Sequence, residues 1–311
     1  MKRQQALWLL LTLASLVLTA CDDVIDVNTG TSTPVLNIDA WLNNKPETQT
    51  IYLTMTQDYF DNANPPPAAS GATVSVTDNR GNVYAFSEDV ESADGAYRWT
   101  PAGGEGLGVT GLTYTLNVNY GGETFQANCR VGRVPAIDSL TYAEWDRPMV
   151  RDNDKTFYRG EFWATDLPGK GDTYWIRTYK NGVLLSKPSE LNVAYDAARV
   201  SGSAFDGVTF TAQVRTGINP TETDANDDPV SPVEPGDSLY VEIHSLTEAS
   251  FNYMNEVLKQ TDRNGGIAEL FSAVPLANVS ANIVNLDGNG SPVVGFFNVS
   301  VVSGLGKTFR R

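Results

Sequence analysis

The sequence predicts a mainly β protein made of two β-sandwich-like domains, the first immunoglobulin-like and the second carrying one amphipathic helix near 246–260. Three observations predict this. Apolar residues recur with period 2 in short runs bounded by turn residues. A single stretch switches to a period of 3.6. The 311 residues are 41% hydrophobic and 19% charged, a globular balance with length enough for two domains.

The chain opens with a secretory signal over residues 1–20. Lys2 and Arg3 form a short positive region, and an apolar run follows from Leu7 to Leu18. That run is too short to span a membrane comfortably and gives way at once to polar sequence. It ends in Leu18-Thr19-Ala20-Cys21, the pattern of a bacterial lipobox, so Cys21 is expected to be acylated and to become the first residue of the mature chain. Removing Lys2 and Arg3 takes the net charge from −15 to −17. Cys129 then has no cysteine partner, so stability must come from the core. Several acyl chains on Cys21 would make a stable membrane anchor. Residues 21–33 read as a flexible tether, polar and rich in Thr and Gly; at ~3.3 Å per residue, the twelve residues after Cys21 reach at most ~40 Å.

The first domain is expected over 34–134. Leu36, Ile38, Ala40 and Leu42 alternate with Asn37, Asp39 and Trp41, and Ile51, Leu53 and Met55 with Tyr52, Thr54 and Thr56. Ala72 to Thr77 and Val83 to Phe86 flank the turn Asp78-Asn79-Arg80-Gly81. Tyr97–Trp99, Leu112–Val118 and Thr124–Cys129 complete about seven strands, the last two joined at Gly121-Gly122. So many short strands without a helical pattern suggest an immunoglobulin-like sandwich.

The second domain is expected over 135–311. Strands are read at Phe157–Thr165, Thr173–Lys180, Val183–Leu185, Val208–Arg215, Leu239–His244 and Phe296–Val302, with Asn181-Gly182 as a hairpin turn. Ser245-Leu246-Thr247-Glu248 fits a capping box, and Phe251, Met254, Val257 and Leu258 form the apolar stripe of the helix. Residues 217–237 hold six acidic residues, four prolines and no basic one. A loop of this composition is expected to contribute nothing to the core.

The same residues narrow the chemistry. With 37 acidic against 22 basic residues, a nucleic-acid partner is disfavoured. The single histidine, His244, excludes most His-based catalysis and any multi-His metal site. Asp224-x-Asn226-x-Asp228 has calcium-loop spacing, but Pro229 occupies the position of the turn glycine. Asn285-x-Asp287-x-Asn289-Gly290 has the glycine but places Phe296 where the bidentate Glu belongs. Both read as ordinary loops, so no metal and no cofactor is expected. Cys129 reads as a small buried hydrophobe; the loop acids Asp152 and Asp154, or Glu144 and Asp146, could in principle pair for glycoside cleavage, but spacing alone does not make them a pair, so no catalytic residue is assigned. Tyr142, Trp145, Phe157, Tyr158, Trp163, Tyr174, Trp175 and Tyr179 crowd one region. Tyr and Trp join a broad apolar face to a polar tip, which suits ligand or partner contacts; Tyr142 and Trp145 are the candidates for binding.

Several segments, in order, carry a resemblance. They are the lipobox, Ser70-Gly71-Ala72-Thr73-Val74-Ser75-Val76-Thr77-Asp78, Gly95-Ala96-Tyr97, Gly111-Leu112-Thr113-Tyr114-Thr115-Leu116, and Val134-Pro135-Ala136-Ile137-Asp138-Ser139-Leu140. Gly236-Asp237-Ser238-Leu239-Tyr240-Val241-Glu242, Ser280-Ala281-Asn282-Ile283 and Val294-Gly295-Phe296-Phe297 follow. Together they resemble the DUF4249 family of Bacteroidota outer-membrane lipoproteins over roughly 21–305. Asp22 and Asp23, directly after Cys21, also resemble acidic surface-export signals of such lipoproteins. The resemblance implies β-sandwich character and a place on the outer-membrane surface, lipid-anchored, beside a TonB-dependent transporter of the starch-utilisation type. The expected role is a non-enzymatic accessory or substrate-capture subunit; the alternative is a structural or adhesive surface lipoprotein with no transporter partner.

Overall fold

The computed structural model describes residues 33–58, 61, 64–103, 106–146, 156–200, 205–226, 228–261 and 279–310. Cys21, the tether and the signal lie outside the described residues. The fold is mainly β. Strands β1 (Leu36–Asn43), β2 (Gln49–Met55), β3 (Thr73–Asp78), β4 (Val83–Glu88), β5 (Ala96–Trp99), β6 (Thr113–Tyr120) and β7 (Glu123–Arg130) form where the period-2 runs place them. They are followed by β8 (Ser139–Glu144), β9 (Tyr158–Trp163), β10 (Thr173–Lys180), β11 (Val183–Leu184), β12 (Asn192–Tyr195) and β13 (Ser238–Leu246). The last three are β14 (Val284–Asn285), β15 (Val293–Ser300) and β16 (Val302–Thr308).

In the first sandwich the strands run in the order β14-β7-β6-β3-β4-β5-β2-β1-β15. Strand β4 pairs with β3 through Val83–Phe86 and with β5 through Ser87 and Glu88, so it passes from one layer to the other. The layers close at the far side, where the Val299 N–H donates to Cys129 Sγ at 3.2 Å. The core between them holds Ile38, Leu53, Val76, Tyr97, Leu116 and Phe125 from the early strands and Phe297 and Val299 from β15. Cys129 is part of this core, and burial pushes its thiol up to about 11.

The boundary expected near residue 134 does not separate the sheets. Strand β15 pairs in parallel with β1 over its whole length, and β14 pairs with β7. The late chain therefore completes the first sandwich. The second is the sheet β11-β10-β13-β16, with β12 also on β10, covered by the β8–β9 hairpin. Its core holds Phe162, Tyr174, Ile176, Phe210, Val241 and Ile243.

Three local readings are corrected. Val208–Arg215 is not a strand: Thr209 makes one bridge to Thr165, and Ala212–Thr216 is helical. Phe210, Val214 and Ile218 are all fully buried, and a spacing of four places residues on one face of a helix and of a strand alike, so the apolar pattern does not separate the two here. The long helix runs Glu248–Thr261, and its cap is Thr247, whose Oγ1 accepts from the Ser250 N–H at 3.1 Å. Ser245 instead ends in β13, fully buried, where its Oγ accepts from the Val301 N–H. The acidic segment 217–237 is not excluded from the core. Ile218 and Val233 are fully buried. Asn219 takes the place of a strand neighbour for β9: its side chain accepts from the Gly160 N–H at 2.7 Å and donates to the Gly160 carbonyl at 2.8 Å. Within the segment, Asp224 Oδ1 accepts from the N–H groups of Asn226 and Asp228, closing a turn on itself. Deleting residues 219–234 is expected to lower Tm by roughly 10 °C in thermal circular dichroism, because it removes Val233 and uncovers β9. An unchanged Tm would mean the segment carries no packing.

Candidate ligand cavity

Alternation decides which side chains leave the cores. On β1, Ile38 and Ala40 point inward, so Asn37, Asp39 and Trp41 stand on the opposite face. On β10, Tyr174 and Ile176 belong to the second core, and Trp175 and Arg177 face away from it. The helix Glu248–Thr261 brings Tyr253, Met254 and Val257 to the same space, and β15 brings Phe296. Together these residues line a cavity of about 520 Å³, well inside the roughly 300–1,000 Å³ of small-molecule sites.

The wall is aromatic. Trp41 stacks on Phe296 with centroids 5.8 Å apart and meets Trp175 edge-on at 5.7 Å. Tyr253 tilts against Phe296 at 4.6 Å and Trp41 at 5.9 Å. Glycine makes this possible at one point. Gly295 pairs with Ile38 at a φ of 105°, and a Cβ there would drive into the Ile38 backbone. The close approach sets Phe296 directly opposite Asp39 in the β1–β15 register.

Four charged residues line this cavity: Asp39, Arg177, Lys187 and Glu190. Asp39 is exposed to the cavity and accepts a hydrogen bond from the Trp41 side chain. Desolvation among the surrounding rings pushes its pKa above the ordinary carboxylate value, outweighing that hydrogen bond. Burial, then the charges of Asp39 and Glu256, push the Tyr253 phenol up as well. The Arg177 guanidinium lies 4.8 Å from the Trp175 ring centroid and 5.8 Å from that of Tyr179. Its Nε is buried without a hydrogen-bond partner. The rim is fixed by Glu190, which accepts from the Lys187 N–H at 2.9 Å and the Thr221 N–H at 3.2 Å.

Behind Trp175 sits a buried ionic cluster. Glu242 and His244 alternate on β13 with the core residues Val241 and Ile243. His244 Nε2 is 2.9 Å from Glu242 Oε2, and Lys45 from the β1–β2 connection reaches Glu242 Oε1 at 2.8 Å. This cluster ties the first sandwich to the second.

The sequence-predicted binding residues lie elsewhere. Tyr142 stacks on Phe309 at 4.8 Å; its hydroxyl donates to the Lys307 carbonyl and accepts from the Leu239 N–H. It fastens β8 to the C-terminal strand. Trp145 is half-buried, with the Arg159 guanidinium 5.8 Å from its ring, and lines a smaller concavity of about 270 Å³ with Pro220 and Val230. The two do not meet at one site with the cavity. Of the crowded aromatics at 142–179, Trp175 alone is among the cavity-lining residues; Phe157, Tyr158, Phe162 and Tyr174 are buried in packing. Trp41, Tyr253 and Phe296 were missed as site residues. A tryptophan on the outward phase of β1, two residues from an aspartate on the same face, was the available signal.

A family model described as a domain of unknown function, DUF4249, matches residues 22–304. The chain belongs to the DUF4249 family. No curated protein matches it. The DUF4249 match spans β1 through β15, so it contains both sandwiches' main strands and every residue lining the cavity.

Proposed function

We propose that this DUF4249 protein is a non-enzymatic, lipid-anchored protein of the outer-membrane surface that captures a small ligand beside a TonB-dependent transporter. The observation that carries this reading is the aromatic cavity of about 520 Å³ lined by charges of both signs, Asp39 and Glu190 with Arg177 and Lys187. It offers recognition groups, while the two side chains most suited to nucleophilic or base chemistry are committed elsewhere. Cys129 is sealed in the first core, and His244 is buried against Glu242. The Leu18-Thr19-Ala20-Cys21 lipobox supports the anchor, and a tether of ~40 Å would hold the body at high effective concentration near a membrane-fixed partner. Among the described residues no group of three or more His, Cys, Asp or Glu is placed to hold a metal ion.

The test joins fractionation to co-purification. Cys21→Ala is expected to move the protein from the membrane pellet to the soluble fraction with Tm unchanged, because the cores do not involve the anchor. The anchored wild type is expected to co-purify with a transporter barrel from detergent-solubilised outer membrane, and Trp145→Ala to weaken that recovery. A Cys21→Ala protein that stays in the pellet overturns the anchor. A wild type that recovers no barrel overturns the transporter role and favours the adhesive alternative.

A further inference from the structure

We propose, resting on the capture reading, that the cavity takes a short peptide with free termini, its ammonium group on the Asp39 carboxylate and its terminal carboxylate on the Arg177 guanidinium. Three features select this chemistry.

The first is the placement of unlike charges: of the four charged residues lining the cavity, Glu190 is held by the Lys187 and Thr221 N–H groups and the Lys187 ammonium by the Thr221 carbonyl, while Asp39 and Arg177 form no ion pair among the described residues. Asp39 has the Trp41 side chain as its hydrogen-bond donor. A carboxylate among aromatic rings is poorly solvated and gains most from an incoming cation, which the rings themselves also attract. Its raised pKa reflects the same lack of compensation. Arg177 is the complement. Trp175 and Tyr179 hold the guanidinium where it lines the cavity. A pre-positioned guanidinium fork matches a carboxylate.

The second is the state of the rings. Trp41 is stacked on Phe296, flanked by Tyr253 and met edge-on by Trp175. Trp41 thus packs against three rings, which leaves less of its indole free as a flat platform for a sugar ring. With Met254, Val257 and Leu184 it forms an apolar wall suited to amino-acid side chains.

The third is size and charge. An extended tripeptide spans about 10 Å, and a cavity of about 520 Å³ has the volume of a small-ligand site. The chain carries a net charge of −15, which repels polyanions but not a zwitterion of zero net charge.

The experiment is calorimetric titration of the detergent-solubilised, full-length protein with tri-alanine and Ala-Phe-Ala, their N-acetylated and C-amidated forms, and maltotriose. At least one free tripeptide is expected to saturate the protein below about 1 mM. N-acetylation and C-amidation are each expected to weaken binding by about tenfold. The losses must be specific: acetylation should matter little in Asp39→Asn, and amidation should matter little in Arg177→Gln. Should either variant fail to fold, the capped peptides on the wild type still decide. The proposal is overturned if neither free tripeptide binds, if capped and free forms bind alike, or if maltotriose binds in their place. Loss of peptide recognition in a protein that still co-purifies with its transporter rejects the ligand class alone. Failure to co-purify rejects the capture reading itself.

Discussion

A fragment comprising residues 34–134 is expected not to fold, although it contains every strand that the period-2 pattern assigns to a complete immunoglobulin-like sandwich. The reason lies almost 160 residues further along the chain. Strand β15 covers the whole of β1 in parallel register, from Leu36 opposite Val293 to Asn43 opposite Ser300. It places Phe297 and Val299 in the core, both essentially inaccessible. The segment before it contributes Ile283, and Asn282 braces β15 by accepting from the Phe297 N–H and donating to the Phe297 carbonyl. Losing a buried Phe alone costs about 3–5 kcal/mol, against a total stability of only about 5–15 kcal/mol. The fragment loses that side chain, two further apolar groups and an entire ladder, and it exposes β1 as an apolar edge prone to pair with other chains. Near-ultraviolet circular dichroism of the fragment should be flat and its thermal trace without a cooperative step. In the full chain, Phe297→Ala should show the graded version, a loss of about 3–5 kcal/mol in chemical denaturation. A cooperative transition in the fragment alone would mean that β15 decorates a finished sandwich rather than completing one.

That partnership was not legible locally, and the contrast with what was legible is instructive. Alternation such as Leu36-Ile38-Ala40-Leu42 is written into adjacent residues, so β1 could be read directly. Asn181 and Gly182 adopt positive φ values of 52° and 83°, the conformation their hairpin requires. The run Phe296–Val302 also reads as a strand, overlapping β15, but which strand it joins depends on long-range pairing that no local pattern encodes. Ser245 and Thr247 both offer a capping hydroxyl; tertiary packing chose Thr247 by drawing Ser245 into β13. The acidic segment misled because its average composition concealed Ile218 near one end and Val233 near the other. The cavity was the least legible feature. Its wall is assembled from positions 39, 41, 175, 177, 253 and 296, which only the packing of the two sandwiches and the helix brings together. Tyr142 and Trp145, adjacent in sequence and rich in surface, serve different neighbourhoods.

Replacing Glu242 is expected to be the most damaging single change at the junction of the sandwiches, and the damage should depend on pH in a specific direction. Glu242 is fully buried, with His244 at 2.9 Å, Lys45 at 2.8 Å and the Tyr179 hydroxyl at 3.5 Å. Burial alone would raise its pKa. The hydrogen bonds from His244 and Lys45, and then their charges, outweigh that and bring it down to about 2. Because the folded value lies below the unfolded one of about 4.5, the folded state gains from ionisation above pH ~4.5 and loses that gain as pH falls toward 2. His244 shifts in the same sense for another reason. Desolvation is its largest influence and holds its pKa below 6.5 despite Glu242, so its share of stability is present above pH ~6.5 and declines as pH drops beneath that. Wild-type Tm should therefore fall in two stages on acidification, the first beginning near pH 6.5 and the second below about 4.5. Glu242→Ala should cost about 3–5 kcal/mol at pH 7, since it strands the buried side of Lys45 and removes the acceptor of His244. It should also shrink the lower stage, leaving the part due to Asp78 and Asp237, where desolvation is likewise outweighed by hydrogen bonds that hold the carboxyls below the ordinary value. His244→Gln should remove the upper stage while leaving the lower one in place. Denaturation of the three proteins across pH 3–8 distinguishes these outcomes. A Glu242→Ala protein as stable as wild type at pH 7, or one that becomes relatively worse as acid is added, would show that the carboxylate does not hold the sandwiches together.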